Sequence, residues 1–228
     1  RRPPRSTLFP YATLFRSFKD VHLIAVHTHG PGLLHVKGDG VTKLEDMQGL
    51  KLRGPTRQAN ALLSALGATP IGMPVPAMPE ALSKGVIDGT AIPWEVTTPL
   101  KVSELVDSHT NFAGPRGLYT SFFVFAMNKA KYESLPDDLK AVLDANSGIA
   151  TSKWIGQVMD QGDAPGIAVA EKSGNKMITL DEAEVARWKA AAAPLVDQWI
   201  AEMNAKGYDG AAMVTDARAM IAEYAGAE

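Results

Sequence analysis

The sequence predicts an α/β fold with a parallel sheet, and three observations carry that prediction. Between residues 50 and 106, short apolar runs alternate with helical segments in the order strand, helix, strand, helix, strand, helix. This is the pattern of parallel strands joined by crossover helices. Ala59, Leu62, Leu63 and Leu66 recur at i, i+3, i+4 and i+7, which gives the first of these helices one apolar face. Gly67, Gly85 and the prolines of 74–79 stand where the segments must stop.

Each element can be justified in order. Val21–Val26 reads as a strand, and His27-Thr28-His29-Gly30-Pro31-Gly32 turns the chain before Leu33–Val36 extends again. Thr42–Met47 reads as a helical turn stopped by Gly49, and Lys51–Arg53 as a strand. Thr56 is a natural N-cap for the helix that follows, because its hydroxyl can accept from a free first-turn N–H. Thr69–Met73 is the next strand, Pro79–Lys84 a short helix, and Val86–Pro93 contains a third strand. Thr98-Pro99 is read as N-cap and N1 of a helix reaching about Val106. Ser121–Met127 is an apolar strand. A long helical region then begins at Ser134 and runs to about Ala170, with breaks expected at Gly148, Gly162 and Pro165. Asp181 with Glu184 has capping spacing, Pro194 should kink the following helix, and Thr215–Tyr224 is a final helix. Trp154, Trp188 and Trp199 are expected in helix packing.

Composition excludes several functions. The 228 residues carry a net charge of -2, so no basic field exists to hold nucleic acid. There are no cysteines, which removes thiolate metal sites and cysteine nucleophiles. No apolar run approaches the ~20 residues of a membrane span, so direct membrane insertion is not expected. No G-x-S-x-G elbow is present to place a serine nucleophile. Neither a cofactor nor an enzymatic activity is expected. Residues 1–17 repeat Thr-Leu-Phe without a structural period. They resemble a translated sequencing adapter and are read as a non-native leader.

Arg53 is the leading candidate site residue. It ends a short strand just before Gly54-Pro55 and the helix opened by Thr56. Its planar fork of donors fits a carboxylate edge-on, and the free N–H groups of a helix start add to the attraction. In open α/β sheets ligands sit at the carboxyl ends of strands. Pro74–Val75 and Ile92–Trp94 occupy the same kind of position.

The run from Leu44 to Pro93 resembles solute-binding proteins of tripartite ATP-independent periplasmic (TRAP) transporters, of the C4-dicarboxylate-binding type. The matching pieces are LEDMQGLKLRGP at 44–55, ALGATPIGMP at 65–74, EALSKGVIDG at 80–89 and the proline at 93, with MNKAKYESLPDDLKAVLDANSG following at 127–148. The resemblance implies a two-lobed periplasmic binding protein fold that closes on an organic acid. It also implies periplasmic location, delivery to a TRAP permease driven by an ion gradient, and no chemistry performed on the ligand. The family's hallmark arginine falls on Arg53. Members carry a long further segment before the position of Phe18. The expectation is therefore a complete second lobe and a partial first one, divided as follows. Residues 18–36 form the hinge strand and a remnant of the first lobe, 37–118 the second α/β lobe, and 119–228 the return strand and helices of the first lobe.

The departures bear on specificity. Ile92 stands where many members place a ligand-binding asparagine, Val75 replaces a common aromatic, and no second arginine lies between His27 and Val36. A more apolar pocket for a modest monocarboxylate follows, with an aromatic, keto or hydroxyl substituent. Arg53 would anchor the carboxylate and Thr56 would supplement it. Val75, Ile92 and Trp94 would form an apolar wall, Glu95 would offer an acceptor, and His29 and Tyr119 would add polar contacts from the hinge side. Arg116 is read as an exposed loop residue. The competing reading is a metal-dependent hydrolase built on the His27/His29 pair, since i and i+2 on a strand face the same side.

Overall fold

The computed structural model describes residues 18–114 and 116–225, without the side chains of residues 224 and 225; the leader read at 1–17 lies outside these. The described chain divides into two compact units. The larger comprises Ala25–Val124 and Gly148–Ala192.

Among the described residues eight strands form, and two of them, β1 (Val21–Thr28) and β7 (Phe122–Asn128), pair as a two-stranded sheet. The other six make one sheet in the larger unit, in the order β4 (Thr69–Gly72), β3 (Lys51–Gly54), β5 (Gly89–Pro93), β2 (Gly32–Val36), β6 (Ser108–Phe112) and β8 (Lys176–Leu180). β3 pairs in parallel with β4 and β5, as the alternation over 50–106 predicts. β2 is inserted antiparallel between β5 and β6, so the whole sheet is mixed.

Helix α1 (Arg57–Ala65) starts at the predicted cap: Ala59 N–H donates to Thr56 Oγ1 at 3.1 Å. Its Leu63 joins a core with Leu34, Met47, Leu52, Trp94 and Leu180. A second apolar cluster forms around α2 (Met78–Ser83), with Met78, Leu82, Ile87, Ile92 and Val102. After a short helix α3 (Lys129–Glu133), helices α4 (Asp137–Ala145), α5 (Ile149–Gln161) and α6 (Asp163–Lys172) make up the helical region expected from Ser134. Gly148 takes φ 90° and Gly162 caps between α5 and α6, which accounts for the breaks. Pro165 sits in the first turn of α6, where its missing N–H costs nothing. Asp181 accepts from Glu184 N–H at 2.8 Å at the start of α7 (Glu182–Ala192). Pro194 begins a new helix, α8 (Pro194–Ala205), rather than kinking the old one, and α9 spans Gly210–Ala225.

In the smaller unit the His22 ring stacks on Tyr132 at 3.6 Å, and Tyr132 donates to Asp144 at 2.8 Å. Helices α8 and α9 pack closely enough that Gly210 lies against the Ile200 carbonyl.

Two expectations are corrected, and the sheet gains two strands that carry no local signal. The helix expected over 98–106 is a single 3-10 turn, Val102–Glu104, entered through Lys101 in the left-handed region at φ 53°. β6 goes unrecognised in the sequence because Ser108, His109, Thr110 and Asn111 do not read as a core strand. Ser108 and Thr110 are nonetheless buried, donating to Val36 O at 3.0 Å and Val41 O at 2.8 Å. β8 and the helices of 148–192 belong to the larger unit, because β8 pairs in parallel with β6 from Ser108↔Lys176 to Phe112↔Leu180. Trp188 is buried, but Trp154 is 62% exposed rather than packed.

Candidate functional site

β3, β4 and β5 run in one direction, so their carboxyl ends share one edge of the sheet. Arg53 stands at that edge, one residue before the end of β3, and is only 3% exposed. Its Nε donates to Met73 O at 3.1 Å, just past the end of β4. Among the described residues no carboxylate pairs with it. Burial lowers its pKa, and the Tyr119 phenol beside it acts in the opposite direction. A guanidinium does not lose its charge at neutral pH, so a cation is held out of solvent with no counter-ion among the described residues.

Tyr119 reaches this edge from a distant part of the chain. Its backbone bridges Gly32, whose N–H donates to Tyr119 O at 2.9 Å. A Cβ on Gly32 would lie 2.3 Å from the Tyr119 ring, so only glycine leaves room for it. The phenol donates to Ala91 O at 3.0 Å, and burial pushes its pKa up. The His29 ring meets Tyr119 edge-on at 5.2 Å between centroids. His29 Nδ1 faces Gly30 O, and Nε2 accepts from Ser121 N–H at 3.1 Å. With Nδ1 donating, both ring nitrogens are engaged.

That geometry corrects the H-x-H metal reading. β1 ends at Thr28, so His29 lies beyond the strand that would align it with His27. His27 stacks on Phe123 instead, at 5.3 Å. Among the described residues no group of three His, Cys, Asp or Glu is placed to hold a metal.

Glu95 follows β5 in the Trp94–Val96 turn. Its N–H donates to Asp163 Oδ1 at 3.2 Å. Both carboxyl oxygens of Glu95 are shielded from solvent and make no hydrogen bond among the described residues. Burial first, then the neighbouring Asp163, raises its pKa to about 7.

The remaining candidates divide. Thr56 is exposed and serves as the α1 cap, with its hydroxyl hydrogen still free to donate. Val75 is half-buried in the 3-10 turn after β4. Ile92 is 2% exposed inside the second apolar cluster. Trp94 is buried in the core, and its Nε1 donates to Asn111 Oδ1 at 3.1 Å. Ile92 and Trp94 are thus packed in the protein core rather than standing free as a wall. Arg53, Tyr119, Glu95 and His29 are brought together.

Three participants were missed by the sequence reading. Asp163 is remote from Glu95 in the chain and carries no local signal. His35 and His109 face each other across β2 and β6, Nδ1 to Nδ1 at 2.6 Å, with Trp94 edge-on to His35 at 5.0 Å. His35 Nε2 donates to Ile92 O at 3.1 Å. Its Nδ1 is therefore the acceptor, and His109 Nδ1 is the donor.

The model of bacterial extracellular solute-binding protein, family 7 (DctP), matches residues 8–203. The chain belongs to this family. The match includes part of the 1–17 stretch set aside from the sequence. Among solved structures, a TRAP solute-binding protein from Rhodoferax ferrireducens in complex with copurified benzoate is 43% identical, with a TM-score of 0.91 over 97% of this chain and 70% of that one. A marine metagenome TRAP solute-binding protein specific for aromatic acid ligands, in complex with 3-hydroxybenzoate, is 44% identical, with a TM-score of 0.90 over 96% and 69%. A curated solute-binding protein from Albidiferax ferrireducens is 26% identical over 154 residues, 67% of this chain and 45% of that protein. The chain thus spans less than half the length of that relative.

Proposed function

We propose that this chain captures a small aromatic monocarboxylate outside the cytoplasm for delivery to a TRAP permease, without chemically altering it. The observation that carries the reading is Arg53: a buried guanidinium at the carboxyl edge of a parallel sheet, with no carboxylate of the described chain to neutralise it. A bound carboxylate supplies that missing charge through bidentate hydrogen bonds. The aromatic acids held by the two structural neighbours support the aromatic class, as does the apolar character of Val75 and its surroundings. Family membership supports the extracytoplasmic location and the permease partner.

Thermal shift with benzoate, 3-hydroxybenzoate and the dicarboxylate malonate tests this directly. Ligand at a hundred times its Kd stabilises a competent receptor by about 2.7 kcal/mol. Stabilisation by the two aromatic acids but not by malonate supports the reading. Stabilisation by malonate alone, or by none of the three, refutes it.

A further inference from the structure

The Arg53 edge has an acidic counterpart that carboxylate capture does not use. Both Glu95 carboxyl oxygens are solvent-shielded and make no close hydrogen bond among the described residues, with the Gly30 backbone and Asp163 acting on them from longer range. A buried polar group left so is costly unless something else supplies the partner. Asp163 shares a hydrogen bond with Glu95 only while one of the two is protonated, and offers no donor when both are ionised. It takes the Glu95 N–H through Oδ1, and its oxygens lie against the site where Gly30 would carry a Cβ, at 2.9 Å. Asp160 adds a further negative charge near Asp163, and burial lowers the pKa of the neighbouring His29 ring. Tyr119 feels the Arg53 charge on one hand and the Glu95 charge on the other. Its own hydroxyl hydrogen is committed to Ala91 O. With both acids ionised, the group that completes Glu95 is a hydrogen-bond donor, and an acid held through its carboxylate by Arg53 can carry one past Tyr119.

We infer that Glu95 is the specificity-determining residue of the Arg53 site, accepting a hydrogen bond from a hydroxyl on the bound acid and repelling ligands with a second carboxylate. The inference rests on the carboxylate reading of Arg53. The ligand class is a hydroxy-substituted monocarboxylate with the hydroxyl remote from the acid group. Asp163 is a positioning residue: it holds the Glu95 backbone and sets how readily Glu95 takes up a proton.

The test is isothermal titration of the full chain with 3-hydroxybenzoate and benzoate at pH 8 and pH 6. At pH 8 Glu95 is ionised, and the hydroxy acid should bind at least about tenfold tighter. At pH 6 Glu95 takes up a proton, so the preference should shrink. In Glu95→Met the ratio should fall to within about twofold at both pH values, since an apolar side chain of similar length neither accepts nor titrates. In Asp163→Asn the pH at which the preference is lost should move down, because a negative neighbour has been removed. A tenfold preference surviving in Glu95→Met overturns the inference, as do equal affinities in the unchanged protein. Failure of both acids to bind the unchanged protein refutes the carboxylate reading itself, and this inference with it.

Discussion

Acidification should destabilise this protein through two histidines that never meet solvent. His35 and His109 are fully buried, and burial lowers both pKa values, to about 3 and about 4, from 6.5. The folded state therefore holds both rings neutral, while the unfolded chain protonates them as pH drops past 6.5. Their contribution is fully present above 6.5 and is lost as pH falls towards 4. Between pH 7 and pH 5 each histidine costs about 2 kcal/mol, with a limiting slope of about 1.4 kcal/mol per pH unit. His109→Asn removes one of the two while keeping a donor able to reach His35 Nδ1. Urea unfolding at pH 7, 6 and 5 should show the unchanged protein losing about 2 kcal/mol more than the variant over that range. Carboxylates common to both proteins, Glu95 included, cancel in the difference. Absolute stability of the variant does not matter, only its slope. Parallel losses in the two proteins would refute the reasoning. So would ring resonances showing either histidine charged in the folded protein at pH 5.

Three further outcomes are expected. Arg53→Ala should weaken binding of an aromatic acid by about ten- to a hundredfold, whereas Arg116→Ala, an exposed loop change, should leave it within about twofold; equal losses by titration calorimetry would contradict the anchor assignment. Gly32→Ala should cost about 1–3 kcal/mol and displace the Tyr119 ring, because the new Cβ falls 2.3 Å from it; an unchanged denaturation midpoint would show that the ring can move freely. Thr56→Ala should cost about 1 kcal/mol by removing the α1 cap, again read from chemical denaturation, and a smaller effect on ligand affinity than Arg53→Ala would separate its capping role from a binding one.

Much of the parallel half of the sheet was legible in the sequence. Helix α1 and strands β3 to β5 announce themselves through local periodicity, a cap at Thr56 and glycine stops, all within a few residues of one another. β6 and β8 were not legible. The strand Ser108–Phe112 is buried although most of its residues are polar, and its hydrogen bonds run to Val36, Val41 and Ile178, which no local window contains. Ile92 and Trp94 show the converse limit. Their place after a strand marks them as site candidates, but which way each side chain points depends on the sheet face that α2 and α6 cover.

By itself, the sequence determined that a strand–helix alternation would carry Arg53 to a strand end, since spacing and breakers act over a few residues. Only the tertiary structure decided what Arg53 meets. The antiparallel insertion of β2 brings Gly32 under Tyr119, pairs His35 with His109 behind Trp94, and accompanies the folding of α6 back so that Asp163 lies beside Glu95. Those neighbours are far apart in the chain. They come together because the apolar faces of separate elements must be buried in a common core, and that requirement leaves no local trace.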